Sequence, residues 1–325
     1  MIEAVLTLSG IGLLASLGLG LAAKRFAVQQ SPLIEQVEQA LPGINCGACG
    51  LAGCSTYAKA VVEGRAPANA CIAGGQTTAR RVAEIMGVET SPAESYVAVL
   101  LCKGGKGEAK SRFEYQGVTD CKAAMIIAGG DKSCTYGCLG FGTCERVCPF
   151  GAIRVDGNGI AVVHEEKCTG CGICVDNCPK DVLMLVPRGT RVHVRCHSHD
   201  KAGQVKKFCS VGCIGCGACA RICPYEALSL DDGLATMDYS RCRQCGLCID
   251  QCPTHNITSL IKEKPKSHID PDKCNGCTAC EAVCPVDAIS GEPGKTHIVD
   301  EHRCTGCGIC CSVCPVHAIT MLNKD

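Results

Sequence analysis

From Ala4 to Ala23 the chain runs through twenty uncharged residues rich in Leu and Gly, then turns basic at Lys24 and Arg25. At about 1.5 Å of rise per residue, such a run crosses a hydrocarbon core of about 30 Å. The pattern therefore predicts a transmembrane helix over residues 1–25, with a buried helix of a soluble domain as the alternative. The basic pair follows the apolar run, the reverse of a secretory signal. The positive-inside rule then makes this a single-pass protein of the cell (inner) membrane, with everything after Arg25 on the cytoplasmic side. Gly10, Gly12, Gly18 and Gly20 give the helix small faces for packing on other membrane helices. With no ionisable residue inside the run, it is not an ion path by itself.

Beyond it the pattern changes to short elements. Ser31-Pro32 reads as an N-cap with proline at the first helical position, followed by Leu33, Ile34, Val37 and Leu41 at helical spacing. Val97–Cys102 and Val192–Cys196 alternate as strands do. Six more short apolar segments begin near Ala152, Val182, Ala227, Ile257, Ala288 and Ala318, each just after a Cys-Pro pair. The expected fold class is α+β: a single N-terminal transmembrane helix, a small α-rich domain over 26–90, a connecting segment over 91–122, and a repeated strand–loop–helix unit over the rest.

Composition explains what holds such short elements together. There are 33 cysteines and 38 glycines in 325 residues, with no Trp, five Phe and six Tyr, so one large aromatic core is excluded. Lys+Arg and Asp+Glu balance at 32 each, which argues against a nucleic-acid partner. In a reducing cytoplasm, cysteines at this density read as metal ligands rather than disulfides.

Their spacing names the metal. Cys168, Cys171, Cys174 and Cys178-Pro179 form the C-x2-C-x2-C-x3-C-P run of bacterial ferredoxins. Cys213, Cys216, Cys219 and Cys223 repeat it, as do Cys242, Cys245, Cys248 and Cys252. The last two are Cys274, Cys277, Cys280 and Cys284, then Cys304, Cys307, Cys310 and Cys314. A looser set is Cys134, Cys138, Cys144 and Cys148-Pro149. In two-cluster ferredoxins the fourth cysteine of each run ligates the other cluster, so the runs work in pairs. They define three modules, over 123–190, 191–262 and 263–325. Crossed ligation predicts Cys134, Cys138, Cys144 with Cys178, and Cys168, Cys171, Cys174 with Cys148. The second module gives Cys213, Cys216, Cys219 with Cys252, and Cys242, Cys245, Cys248 with Cys223. The third gives Cys274, Cys277, Cys280 with Cys314, and Cys304, Cys307, Cys310 with Cys284. A three-iron cluster is the alternative at the widened Cys134 loop.

A further set, Cys46, Cys49, Cys54 and Cys71, has different spacing and no following proline. It reads as a [4Fe-4S] site, with structural zinc as the alternative. Seven [4Fe-4S] clusters are therefore expected. Cys102, Cys121, Cys196, Cys209 and Cys311 are left over. Cys102 and Cys196 each close an alternating stretch and precede a Lys/Gly-rich loop and another odd cysteine, Cys121 or Cys209. These read as buried free thiols, with a disulfide or a metal site involving His197 and His199 as alternatives. Cys311 is spare. His193, His197 and His199 read as a solvated loop. Lys201, Lys206, Lys207, Lys262, Lys264 and Lys266 read as solvated faces, or as docking charge for an acidic electron carrier.

No dinucleotide fingerprint, Walker loop or nucleophile elbow is present, so no hydride-transfer or hydrolytic site and no catalytic residue is expected. The apolar run, Asn45-Cys46-Gly47-Ala48-Cys49-Gly50, and Asp120-Cys121-Lys122-Ala123-Ala124 leading to Tyr136-Gly137-Cys138-Leu139-Gly140 together resemble the B subunits of Rnf complexes, over essentially the whole chain. The Cys46–Cys71 domain is also similar to one in corrinoid iron–sulfur proteins. The resemblance implies an electron-transfer subunit of a membrane-bound ferredoxin:NAD⁺ oxidoreductase that translocates Na⁺ or H⁺. It implies soluble ferredoxin, the membrane and NAD-binding subunits, and the lipid bilayer as partners. The two modules beyond the first depart from shorter family members and suggest a longer electron wire. An iron–sulfur subunit of a hydrogenase or formate dehydrogenase, or a protein with purely structural clusters, is the alternative.

Overall fold

The computed structural model describes residues 2–25, 31–89, 95–259 and 265–322. The chain divides into two units, Met1–Pro92 and Ala93–Asp325.

The first unit is all helical. Helix α1 (Ile2–Arg25) exposes Ile11, Leu13, Leu14, Leu17, Leu19 and Leu21. Among the described residues, no helix is long and apolar enough to cross a membrane. Helix α2 (Pro32–Ala40) starts as its sequence dictates: Ser31 Oγ accepts the Leu33 N–H at 3.3 Å, and Pro32 needs no partner for its nitrogen. Helices α3 (Cys54–Val62) and α4 (Gly75–Met86) follow. Val37, Leu41, Tyr57, Val61 and Val82 make the core between α2, α3 and α4.

The second unit holds three copies of one plan. Its first copy opens on strand β1 (Tyr96–Leu100), followed by short helices α5 (Cys121–Ile126) and α6 (Thr143–Arg146). Strands β2 (Ile153–Val155) and β3 (Ala161–Val163) form an inner pair. After α7 (Ile173–Asp176), strand β4 (Leu183–Pro187) returns antiparallel to β1, Leu100 opposite Leu183. The segment expected to be a connector thus supplies the outer strand of the first module. The second copy pairs β5 (Val192–Val194) with β8 (Ile257–Ser259) outside, and β6 (Leu228–Asp231) with β7 (Leu234–Met237) inside. The third pairs β9 (Lys266–Ile269) with β12 (Ile319–Leu322), and β10 (Ile289–Ser290) with β11 (Ile298–Val299). All six apolar segments after Cys-Pro are strands, as their patterning predicts.

Cysteines make up much of each small core. Cys138, Cys144 and Cys174 pack with Leu100, Ile153 and Val182. Cys219 and Cys248 pack with Val192 and Leu228, and Cys280, Cys310 and Cys314 with Ile269 and Ile319.

Candidate iron–sulfur sites

Each Cys-Pro cysteine is followed a few residues later by a backbone turned left-handed: Gly151, Asp181, Glu226, His255, Asp287 and His317, with φ between 46° and 58°. The turn brings the next N–H back onto the sulfur. Ala152, Ala227, Asn256, Ala288 and Ala318 donate to Sγ of Cys148, Cys223, Cys252, Cys284 and Cys314 at 3.2–3.4 Å. Proline fits because the chain there must leave the preceding helix. These N–H groups point at sulfur, as metal-bound thiolates require.

The thiols stand around cavities. Cys148, Cys168, Cys171 and Cys174 line one of about 350 Å³, and Cys213, Cys216, Cys219 and Cys252 one of about 340 Å³. Cys46, Cys49, Cys54 and Cys71 line another of about 340 Å³ in the first unit. There Asn45 Oδ1 accepts the Cys54 N–H at 2.8 Å, and Tyr57, 1 % exposed, donates to the Pro67 carbonyl at 2.9 Å. Among the described residues, no three His, Cys, Asp or Glu side chains converge closely enough to hold a single metal ion. The linings are mostly apolar with four sulfurs apiece, which fits a cubane.

Thiols of the remaining expected sets also lie close together. Burial pushes the Cys248 thiol up to about 12, with Cys245, Cys242 and Cys223 among its neighbours. Cys307 has Cys284 and Cys304 beside it, and Cys280 has Cys274 and Cys277. Cys310 and Cys314 share the buried core of the third module.

One set differs. The cavity of about 330 Å³ lined by Cys138, Cys144 and Cys178 takes Cys121 as its fourth thiol, not Cys134. Asp120 explains this. It caps α5, accepting from Lys122 and Ala123 N–H at 2.8 and 3.0 Å. Its other oxygen accepts from Thr143 Oγ1 at 2.8 Å and pairs with Arg146, both on α6. Those bonds, led by the Ala123 N–H, hold its carboxyl down to about 2. Thr143 in turn accepts the Cys121 N–H at 2.8 Å, so Cys121 is clamped next to Cys144. Cys134 is drawn elsewhere, where Lys180 Nζ holds the neighbouring Thr135 carbonyl. The sequence signal for Cys121 was its place just after a helix N-cap.

The other singled-out residues separate. His193 is buried, not solvated: it is 2 % exposed, 3.1 Å from Tyr239 Oη, and burial pushes it down to about 4. His197 and His199 pack edge-on against Tyr136. Lys201, Lys206 and Lys207 are exposed. Lys266 instead donates to the Cys304 carbonyl. Lys262 and Lys264 lie outside the described residues. No disulfide joins any described cysteines.

Within the second unit, quartets also adjoin one another. Cys174 is among the neighbours of Cys144, Cys219 among those of Cys248, and Cys307 among those of Cys245. The last contact crosses from the second module to the third, where Tyr225 Oη donates to the Cys307 carbonyl at 2.5 Å.

Comparison with known proteins places iron–sulfur domain families along the chain. An Fe-S cluster family matches residues 41–73. Families of 4Fe-4S dicluster domains match residues 133–182, 212–256 and 241–288, residues 160–224, and residues 267–321. The chain is 46% identical over 266 residues to the B subunit of the Na(+)-translocating ferredoxin:NAD(+) oxidoreductase complex of Acetobacterium woodii, covering 81% of this chain and 80% of that one. It is 46% identical over 264 residues to the B subunit of the proton-translocating ferredoxin:NAD(+) oxidoreductase complex of Clostridium ljungdahlii, covering 80% and 92%. It is 41% identical over 257 residues to the B subunit of the ion-translocating oxidoreductase complex of Methanosarcina acetivorans, covering 79% and 97%.

Proposed function

Since the chain belongs to the family of B subunits of ion-translocating ferredoxin:NAD⁺ oxidoreductase complexes, we propose that it receives low-potential electrons from ferredoxin and delivers them to the redox subunits of such a complex. It is an electron-transfer component of a translocase, with no hydride-transfer site of its own. The observation that carries this is that cysteine quartets of the second unit adjoin one another, within the first and second modules and from the second module to the third. Each [4Fe-4S] cluster, when bound, supplies reversible one-electron chemistry.

Seven such clusters are proposed. Cys46, Cys49, Cys54 and Cys71 hold the first. Cys121, Cys138, Cys144 and Cys178 hold the second, and Cys148, Cys168, Cys171 and Cys174 the third. Cys213, Cys216, Cys219 and Cys252 hold the fourth, and Cys223, Cys242, Cys245 and Cys248 the fifth. Cys274, Cys277, Cys280 and Cys314 hold the sixth, and Cys284, Cys304, Cys307 and Cys310 the seventh. The six domains are proposed as read from the sequence, except that the first ferredoxin module includes β1 and α5.

Helix α1 is proposed as the lipid anchor, with the cluster-bearing region on the cytoplasmic side. Its exposed leucines and terminal Lys24 and Arg25 support this. The names of the relatives cite Na⁺ in one case and protons in another. An anchor without an ionisable side chain between Ala4 and Ala23 leaves ion passage to other subunits.

Anaerobic mixing of the full chain with reduced ferredoxin tests the proposal. Visible absorbance should bleach, and return on reoxidation. Bleaching by dithionite but not by ferredoxin would remove ferredoxin as donor, and bleaching by neither would reduce the clusters to structural braces.

A further inference from the structure

With Cys121 completing the second quartet, Cys134 is released, and it does not stand alone. Cys102, Cys134, Cys196 and Cys209 line one cavity of about 400 Å³, slightly larger than the four lined by the quartets already described. We propose that these four thiols bind an eighth [4Fe-4S] cluster, at the junction between the first and second ferredoxin modules. It rests on the same cluster reading of the other quartets. The eight quartets account for every cysteine of the chain except Cys311.

The thiols are presented as cluster ligands are elsewhere in the chain. Cys134, Cys196 and Cys209 each face the backbone N–H two residues on, of Tyr136, Ser198 and Val211. Cys242, Cys245, Cys304 and Cys307 face the N–H of Gln244, Leu247, Gly306 and Ile309 in the same way. The fourth sulfur, Cys102 Sγ, accepts the Cys138 N–H at 3.4 Å. The wall is closed by glycines: a Cβ on Gly104 would lie 3.1 Å from Cys209 Sγ, and one on Gly137 3.6 Å from Cys134 Sγ.

The charge of the lining also calls for an anion. Lys132, 7 % exposed, reaches in beside Gly104, to whose carbonyl its Nζ donates at 2.8 Å. Arg195 lines the same cavity, and its buried Nε meets no acceptor among the described residues. Two cations facing four neutral thiols would be left uncompensated, a costly arrangement. Four thiolates around a cubane carry net negative charge and balance them.

The position gives the site a purpose. Cys102 Sγ accepts the backbone N–H of Cys138 of the second quartet, and Cys196 faces the N–H of Cys213 of the fourth. The site therefore adjoins a quartet of each module, and continues the row of neighbouring quartets from the first module into the second. It also explains the repeated odd-cysteine pattern: the two alternating stretches end in Cys102 and Cys196, both on this cavity.

Iron, acid-labile sulfide and zinc are measured per chain on the full protein prepared anaerobically, beside Cys196→Ala/Cys209→Ala and, as control, Cys311→Ala. The expected wild-type content is about 32 irons and as many sulfides. The double variant should lose about four of each, and the control none. Equal iron in wild type and double variant would overturn the proposal, as would loss of one zinc in place of four irons. The difference between the two proteins reads the eighth site, while a wild-type count well below about 28 irons would count against the other seven. Native mass spectrometry of the unsubstituted chain needs no variant to fold: eight cluster masses are expected, and seven would overturn the proposal.

Discussion

Stripping iron from the purified chain should unfold residues 95–322, not merely silence them. Among the described residues the six sheets have two strands each, of two to five residues, and an isolated pair of that size is marginal in water. The cores between them are small and partly cysteine. Without a cluster, the sulfurs surround space: the described quartet cavities run from about 330 to 350 Å³. Metal binding is then folding free energy. Circular dichroism of the iron-free chain should show lost secondary structure and no cooperative melt, both restored on reconstitution. A spectrum unchanged by iron removal would contradict this.

Gly215→Ala should cost far more than Gly233→Ala, although both glycines are left-handed. Gly215, the third residue of Cys213-Ile214-Gly215-Cys216, has φ +62°, and a Cβ there would lie 2.5 Å from the Gly233 carbonyl oxygen. Gly233 has φ +76° but open space around its Cβ position. Gly233→Ala therefore meets only the conformational penalty, about 1 kcal/mol. Gly215→Ala adds a clash with backbone, which cannot swing away, and should cost about 3 kcal/mol or more. It would also push the Cys213–Cys216 loop off its cluster. Gly170 and Gly276 occupy the equivalent place with the same 2.5 Å approach to backbone. The exception is Gln244, also left-handed at φ 59°. Its Oε1 accepts from Arg191 and Val192 N–H at 2.6 and 3.0 Å, so a side chain does there what close backbone packing does elsewhere. Thermal melts and iron content of the two alanine variants check this; equal losses would refute the clash.

The parts legible in the sequence were those decided locally. A C-x2-C-x2-C-x3-C-P run dictates its own loop, and the strand after each Cys-Pro followed from a short apolar pattern. What depended on distant partners was not legible. The alternating stretch ending at Cys102 shows that a strand exists, but not that β1 pairs with residues more than eighty positions on. His193 clusters in the sequence with His197 and His199 and so looks solvated, yet on strand β5 it is buried against Tyr239. Cys134 and Cys121 both precede Cys138, and spacing favours Cys134, whereas Cys121 lines the cavity with Cys138, Cys144 and Cys178. Only the Asp120 cap, with its bonds to Thr143 and Arg146, decides between them.

If these sulfur quartets surround cubanes, each must hold several iron atoms. Diffraction from crystals of the anaerobically prepared chain, recorded on either side of the iron absorption edge, tests it most directly. A multi-iron anomalous peak is expected inside each quartet, including one among Cys121, Cys138, Cys144 and Cys178. Single-atom peaks, or iron bound by Cys134 with Cys138 and Cys144, would contradict it.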